Sequence, residues 1–166
     1  MTRVKLIIPT VIVGALLIGS YLHFVRWTPE NASRRAQDSF IEAIAKRDTK
    51  HLAKSISPSY ADAWGMGRAD IEDGFREILK GFISTVPEWA ETSDTLEGGT
   101  ATFTGRLRLK GRALPLGQLV QSRLNSIKAP FTFTWQREGA PWAWKLIKVE
   151  NDQLRIPKNI NSVLDI

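Results

Sequence analysis

The sequence predicts an α+β domain in which helices pack against an antiparallel sheet, with one hydrophobic helix in front of it. Three observations carry this prediction. Twenty uncharged residues precede the domain, apolar residues at helical spacing continue to about residue 83, and strands of alternating apolar and polar residues fill the second half. Helices first and strands afterwards are typical of an α+β layer architecture rather than of alternating βαβ units.

The hydrophobic stretch runs from Leu6 to Val25 and predicts a transmembrane anchor. Its twenty residues match the length that crosses roughly 30 Å of hydrocarbon. A cleaved signal peptide and a buried core helix are the alternatives. The stretch is long for a signal peptide, and the bulky run Tyr21-Leu22-His23-Phe24-Val25-Arg26 contains no small-x-small cleavage site, which favours a retained anchor.

Basic residues around this stretch bear on its orientation. Arg3 and Lys5 favour a cytoplasmic N-terminus, which places the domain on the extracytoplasmic side of the cell membrane in a single-pass protein. Arg26, Arg34 and Arg35 follow the stretch and act in the opposite sense. The predicted boundaries are a short basic tail at 1–5, the anchor at 6–26, the domain at 27–156 and a polar tail at 157–166.

Charge and composition exclude several functional classes. The net charge is +6, but Arg3, Lys5 and Arg26 flank the hydrophobic stretch, so the rest of the chain carries only +3. This is too mild for a clustered nucleic-acid-binding face, and we expect no nucleic-acid partner. The chain has no cysteine, which excludes disulfides, thiolate metal sites and a cysteine nucleophile.

Three helices are predicted to open the domain. Thr28-Pro29-Glu30 supplies a capping hydroxyl, a proline in the first turn and an early acid, and this helix continues to about Arg47. Asp48 caps a short second helix that Ser57-Pro58 ends. The third helix has one apolar face, formed by Ile71, Phe75, Ile78, Leu79, Phe82 and Ile83.

The second half predicts four strands. They are assigned to Trp89–Leu96, Thr100–Arg112, Ala129–Arg137 and Trp142–Glu150. The turn residues Glu138-Gly139-Ala140-Pro141 join the last two into an antiparallel hairpin. Between the second and third strands, Leu114–Ile127 predicts a loop and a short amphipathic helix.

This order of elements resembles the nuclear transport factor 2-like superfamily, over about residues 30–155. Two features carry the resemblance. The helices between Asn31 and Ser57 lead into an aromatic loop at Tyr60 and Trp64, and the chain closes with the hairpin Phe131–Arg137 and Trp142–Ile147. The resemblance implies a cone in which a curved antiparallel sheet wraps around the N-terminal helices. The long connection 113–128 departs from the compact forms of the family.

The resemblance implies two alternative functions. Membrane-anchored members share this layout, among them components of type IV secretion systems and of actinobacterial lipid-import complexes. They suggest a non-catalytic binding or scaffold domain in an envelope-associated complex, and we favour this function over catalysis. Other members are isomerases, dehydratases and cyclases, which suggest an enzyme or carrier that binds a small hydrophobic ligand in the cone. Fold alone does not decide between these roles.

The candidate catalytic residues are few. Asp62 lies beside aromatic side chains and is a candidate general base, with Tyr60 as a hydrogen-bond donor; a solvated loop acid is the alternative. Glu88, Glu91 and Asp94 are the other acids considered. His51 is a further candidate, but a single histidine without a predictable partner makes neither a triad nor a metal site. We expect no metal and no cofactor.

Two surfaces are candidates for binding. Aromatic side chains that could line an apolar ligand pocket, or simply form the core, are Tyr60, Trp64, Trp89, Phe103, Phe131, Phe133 and Trp135. A basic strand face consists of Arg106, Arg108, Lys110 and Arg112. It predicts an acidic protein partner or anionic lipid headgroups, with a solvated strand face as the alternative. A homodimer formed through the sheet is also expected.

Overall fold

The computed structural model describes residues 28–154 together with residues 14, 16, 17, 19 and 20. The predicted basic tail at 1–5, most of the anchor at 6–26 and the polar tail at 157–166 therefore lie outside the described residues. Among the residues that are described, no helix combines the length and the apolar character needed to cross a membrane.

The first helix, α1, spans Pro29–Lys46 and confirms the predicted start signal. The Thr28 hydroxyl accepts a hydrogen bond from the Asn31 N–H, and Pro29 occupies the first turn, where its missing donor costs nothing. Arg47 ends the helix in a left-handed conformation with φ of 54°. The buried side of α1 includes Phe40 and Ile44, which face the sheet.

Two further helices follow. Helix α2 covers Thr49–Ser55, and its cap is the predicted one, since the Asp48 carboxylate accepts the His51 N–H at 2.9 Å. Helix α3 covers Arg68–Lys80. It ends before Phe82 and Ile83, so only Phe82 is buried whereas Ile83 is 52% exposed. The prediction that Ile83 belongs to the buried face is therefore wrong, because the helical period stops at Lys80.

A four-stranded antiparallel sheet forms the second half and confirms the α+β prediction. Its strands lie side by side in chain order: β1 Val86–Glu97, β2 Thr100–Lys110, β3 Phe131–Arg137 and β4 Trp144–Glu150. Gly98 and Gly99 both have positive φ, as a two-residue hairpin turn requires. The register shifts at Glu91/Ser93 and at Thr134/Trp135 are bulges, which bend strands.

Strand β2 extends beyond the part that pairs with β3, and a helix lies beside this free edge. The pairing with β3 stops at Gly105, while β2 continues to Lys110. Helix α4, Pro115–Ser126, returns along the edge, and the Asn125 side chain bonds both the N–H and the C=O of Leu109 at 2.8 Å. An amide side chain thus occupies the place of a neighbouring strand.

The sheet has an inner face that packs against the helices and an outer face. On β2 the buried residues Ala101, Phe103 and Leu109 lie on the inner face, as the alternation predicts. The arginines of the same strand are exposed on the outer face. The core lies between the inner face and the helices, and its fully buried side chains include Phe40, Leu52, Ile56, Phe82, Trp135 and Leu146.

Helix α1 runs antiparallel to β1 and defines two ends of the domain. Near its start, Arg34 contacts Glu91 and Asp94. At its end, the Thr85 hydroxyl donates to the carbonyl of Ile44 at 2.8 Å. An 18-residue helix is about 27 Å long. We call the end at Thr28 proximal and the end at Thr85, where β2 finishes, distal.

Candidate functional site

The inner face of the sheet is filled by aromatic rings in direct contact. Phe40 of α1 packs edge-to-face on Phe133 and on Trp135, with ring centroids 6.1 and 5.8 Å apart. Trp89 packs in the same manner on Phe133 at 5.2 Å. Phe103 and Phe131, also predicted to line a pocket, are buried beside them. Rings at these distances touch, so no ligand fits between them.

Hydrogen bonding and a glycine hold two of these rings. The Trp135 Nε1–H donates to the Gln37 Oε1 at 2.7 Å, and both side chains are fully buried. The Trp89 indole lies over Gly105, where an added Cβ would come within 2.7 Å of the ring and 2.6 Å of the Ala90 carbonyl oxygen. Only glycine therefore permits this position of Trp89.

The predicted pair Tyr60 and Asp62 is brought together, in the loop after α2. The Tyr60 hydroxyl donates to the Asp62 Oδ2 at 3.3 Å, and the backbone N–H groups of Trp64 and Met66 donate to Oδ1 at 2.9 Å. Both side chains are buried. The carboxylate of Asp62 thus accepts three hydrogen bonds from its own loop, which is the arrangement of a residue that shapes a turn.

Burial also changes the acidity of Tyr60. Desolvation raises the pKa of its hydroxyl well above the ordinary value, and the negative charge of Asp62 raises it further. The hydroxyl is therefore a neutral donor to Asp62 at physiological pH.

The predicted pocket residues separate into two groups. The Ala61 N–H bonds the Ile147 carbonyl, which places the Tyr60 loop beside β4. In the same loop, the Trp64 Nε1–H donates to the Leu154 carbonyl at 2.8 Å. Trp89 lies on β1, the opposite edge of the sheet. Tyr60 and Trp64 therefore do not line one cavity together with Trp89.

His51 is exposed on α2 and contacts a hydroxyl. Its Nε2 lies 2.9 Å from the Ser39 Oγ of α1. In the part of the chain that the structure describes, no carboxylate accepts a hydrogen bond from the other ring nitrogen, so the third member of a triad is missing there. The pair joins α1 to α2.

A charged cluster lies between α1 and β1, and the sequence predicts only some of its residues. Arg34 bonds the carboxylates of Glu91 at 2.7 Å and of Asp94 at 2.6 Å, and its guanidinium lies 5.7 Å from the Phe103 ring centroid. Glu91 and Asp94 are predicted candidate acids, whereas from the sequence Arg34 bears only on membrane orientation and no role is predicted for Asp38. Their spacing of four residues on one helix face was the available signal, although it does not indicate which strand they contact.

Asp38 is the carboxyl of this cluster with the altered acidity. Partial burial raises the pKa of Asp38 above its ordinary value, Arg34 opposes this effect, and the nearby Glu91 adds to it. Two open grooves of about 410 and 380 Å³ border Asp38, one on each side of α1. The smaller groove reaches Trp89, whose Nε1 is buried without a hydrogen-bond partner among the described residues.

The predicted basic face lies on the outer side of β2. Arg106, Arg108 and Lys110 are exposed and alternate along the strand, whereas Arg112 follows its end. Glu88 lies directly opposite Arg108 and forms an ion pair with Lys110 at 2.6 Å. One of the four positive charges is therefore neutralised by β1. Among the described residues, no group of histidines and carboxylates is arranged to hold a metal ion.

The sequence matches no protein-family model and no curated protein. Solved structures resemble it in shape. A proposed dehydratase of the NTF2-like family from Streptomyces avermitilis superimposes with a TM-score of 0.56 and 17% identity, over 74% of this chain and 95% of the other. The fold is nuclear transport factor 2-like.

Two further structures show the range of proteins with this fold. A proposed aromatic ring hydroxylase from Novosphingobium aromaticivorans has a TM-score of 0.55 and 14% identity, and covers 76% of this chain and 88% of its own. A proposed calcium/calmodulin-dependent protein kinase type II association domain from Thiobacillus denitrificans has a TM-score of 0.54 and 15% identity, with coverages of 77% and 96%. At these identities the likeness establishes the nuclear transport factor 2-like fold alone.

Proposed function

We propose that this protein is a membrane-tethered, non-catalytic binding or scaffold domain of an envelope-associated complex. One observation carries the non-catalytic part: Phe40, Trp89, Phe133 and Trp135 fill the inner face of the sheet, where a ligand of the cone would lie. The candidate base Asp62 is also engaged by three hydrogen bonds of its own loop. A binding role agrees with the structural likeness to an association domain.

The tether is proposed from the uncharged stretch Leu6–Val25, and its orientation from Arg3 and Lys5. Because the chain has no cysteine, single cysteines report the two sides of the membrane. We expect a membrane-impermeant maleimide to label Ser122→Cys, which is exposed on α4, but not Thr2→Cys in intact spheroplasts. Labelling of Thr2→Cys but not of Ser122→Cys would indicate the opposite orientation.

Membrane extraction tests the tether itself. The full chain should stay with membranes after carbonate treatment, because a spanning helix resists extraction. A Leu16→Glu/Leu17→Glu variant should be released, since charges at the centre of a span are costly. Release of the unaltered chain would contradict the tether. A Leu116→Glu/Leu119→Glu variant in α4 is the matched control and should remain bound.

A second candidate function is an enzyme or carrier for a small hydrophobic molecule. The groove beside Trp89 favours it, because an apolar wall there meets a carboxyl, Asp38, whose pKa is raised. Native mass spectrometry of the protein purified in mild detergent separates the two functions. Co-purified protein partners support the binding domain. A stoichiometric small molecule that co-purifies with Trp142→Ala but not with Trp89→Ala would instead support the enzyme or carrier function.

A further inference from the structure

The distal end of the domain exposes several large apolar side chains. Ile83, Val86 and Leu114 are each at least 50% exposed, and Leu116 and Leu119 of α4 are 39% and 45% exposed. The Leu114 N–H bonds the Gly81 carbonyl, and the Ile83 N–H bonds the Arg112 carbonyl, so these residues belong to one end of the molecule. Clustered exposed apolar groups of this kind mark interaction sites.

The same end carries part of the basic face. Val86 lies directly opposite Lys110, the last residue of β2, and the chain then passes through Arg112 to Leu114 at the start of α4. Arg106, Arg108 and Arg112 form no ion pair with any carboxylate of the described residues. We call Arg108, Arg112 and the neighbouring apolar residues the distal surface, because Arg106 lies farther along β2, opposite Ala90. It combines several exposed apolar side chains with two arginines that form no ion pair among the described residues.

We propose that the distal surface is the docking site for an acidic, amphipathic segment of a partner protein. Leu116 and Leu119 are three residues apart on α4 and therefore project from the same side of the helix. A segment that alternates leucine with carboxylates could cover them while pairing with Arg108 and Arg112. Charge complementarity of this kind orients a partner and speeds its association. This inference rests on the proposed binding function and names its partner class.

Position favours a protein over a lipid surface as the occupant. Val25, the end of the predicted span, lies four residues before Pro29, which is at most about 14 Å of extended chain. The distal surface lies at the other end of α1, about 27 Å from Pro29. A tethered domain whose α1 points away from the bilayer presents the distal surface away from its own membrane.

The test uses the full chain in nanodiscs and a defined probe. The probe is a synthetic helical peptide of repeating leucine and glutamate, with a scrambled sequence of equal charge as its reference. We expect the ordered peptide to bind at least tenfold more tightly than the scrambled one. Arg108→Glu and Leu119→Asp should each weaken its binding about tenfold, and added salt should weaken it as well. Both positions are exposed, so circular dichroism should be unchanged.

Controls at the proximal end distinguish a specific site from general attraction. Arg137→Glu reverses another exposed arginine, beside the Gly98–Gly99 turn, and should leave peptide binding unchanged. An equal loss of peptide binding in Arg137→Glu and Arg108→Glu would overturn the proposal, because binding would then depend on net charge alone. Failure of the unaltered chain to bind the ordered peptide more tightly than the scrambled one would also overturn it.

A lipid occupant gives a different signal. A solvent-sensitive dye on Leu116→Cys should report water in nanodiscs of phosphatidylcholine and in nanodiscs with phosphatidylglycerol, and change only when the peptide is added. A change caused by phosphatidylglycerol alone would assign the distal surface to anionic lipid instead. If the chain does not enter nanodiscs, the tether fails while peptide binding to the chain in detergent still tests the distal surface.

Discussion

The two faces of strand β2 differ in what they do for the molecule. The inner face carries Ala101, Phe103 and Leu109, which are buried, and Gly105, which leaves room for an indole ring. The outer face carries the exposed cations Arg106, Arg108 and Lys110, of which Lys110 forms an ion pair with Glu88. One face of the strand therefore contributes to folding, and the other is the one that we propose for binding. Variants of the inner face should change stability, and variants of the outer face should change binding.

The largest loss of stability is expected for Trp135→Ala. The change removes a fully buried indole, its edge-to-face contact with Phe40 and its hydrogen bond to Gln37. Such truncations cost about 3–5 kcal/mol. Urea unfolding followed by circular dichroism measures the loss. Trp142→Ala is the comparison variant, since that indole is 60% exposed, and it should cost clearly less than Trp135→Ala.

Asp62→Ala should cost about 2–3 kcal/mol, because the N–H groups of Trp64 and Met66 and the buried hydroxyl of Tyr60 lose their charged acceptor. Asp73→Ala, which removes an exposed carboxylate paired with Arg76, should change the free energy of unfolding by less than about 0.5 kcal/mol. Equal stability of Asp62→Ala and the unaltered protein would free this carboxylate for catalysis and reopen the enzyme alternative.

Gly105→Ala should destabilise by about 1–3 kcal/mol, because the added methyl group collides with the Ala90 carbonyl and the Trp89 ring. Gly74→Ala is the informative contrast. It lies in helix α3 with nothing within 4 Å of an added Cβ, so alanine should stabilise the protein by roughly 0.5–1 kcal/mol. Thermal unfolding measures whether each variant is less or more stable than the unaltered protein. A loss of stability in Gly74→Ala would contradict the packing described for α3.

Asp38→Asn is expected to have the smallest effect, and one that depends on pH. The pKa of Asp38 is raised in the folded protein, so its ionisation opposes folding. The stability that this group contributes is present below its unfolded pKa and is lost as the pH rises through the folded value. Asparagine should therefore raise Tm slightly at pH 7. The difference in Tm between Asp38→Asn and the unaltered protein should vanish near pH 3. A lower Tm of Asp38→Asn at pH 7 would contradict the expected stabilisation.

Charge reversal on the outer face of β2 should change peptide binding more than stability. Arg108→Glu places a carboxylate opposite Glu88 across the strand pair, where like charges are unfavourable by less than about 1 kcal/mol. Binding of the acidic peptide should nevertheless fall about tenfold. A variant that lost both binding and several kcal/mol of stability would show that the outer face also supports the fold.

Local sequence signals were sufficient to predict the type and order of the helices and strands. Thr28-Pro29 and Asp48 begin two helices where predicted, and the alternation in β2 assigns its faces correctly. Each of these signals is read from spacing along the chain, because caps and side-chain alternation are set by backbone geometry within a few residues. The length of β1, Val86–Glu97, was underestimated because its exposed polar residues do not alternate clearly.

The tertiary structure alone decided which residues meet. Arg34 reaches Glu91 and Asp94 across about 60 residues of sequence, and the bulge at Glu91/Ser93 sets which side chains of β1 turn towards it. The sequence indicated four cations along one strand, but only the tertiary structure brings Arg112 beside the exposed Ile83. Such contacts depend on register and on the packing of distant elements, which no local spacing encodes.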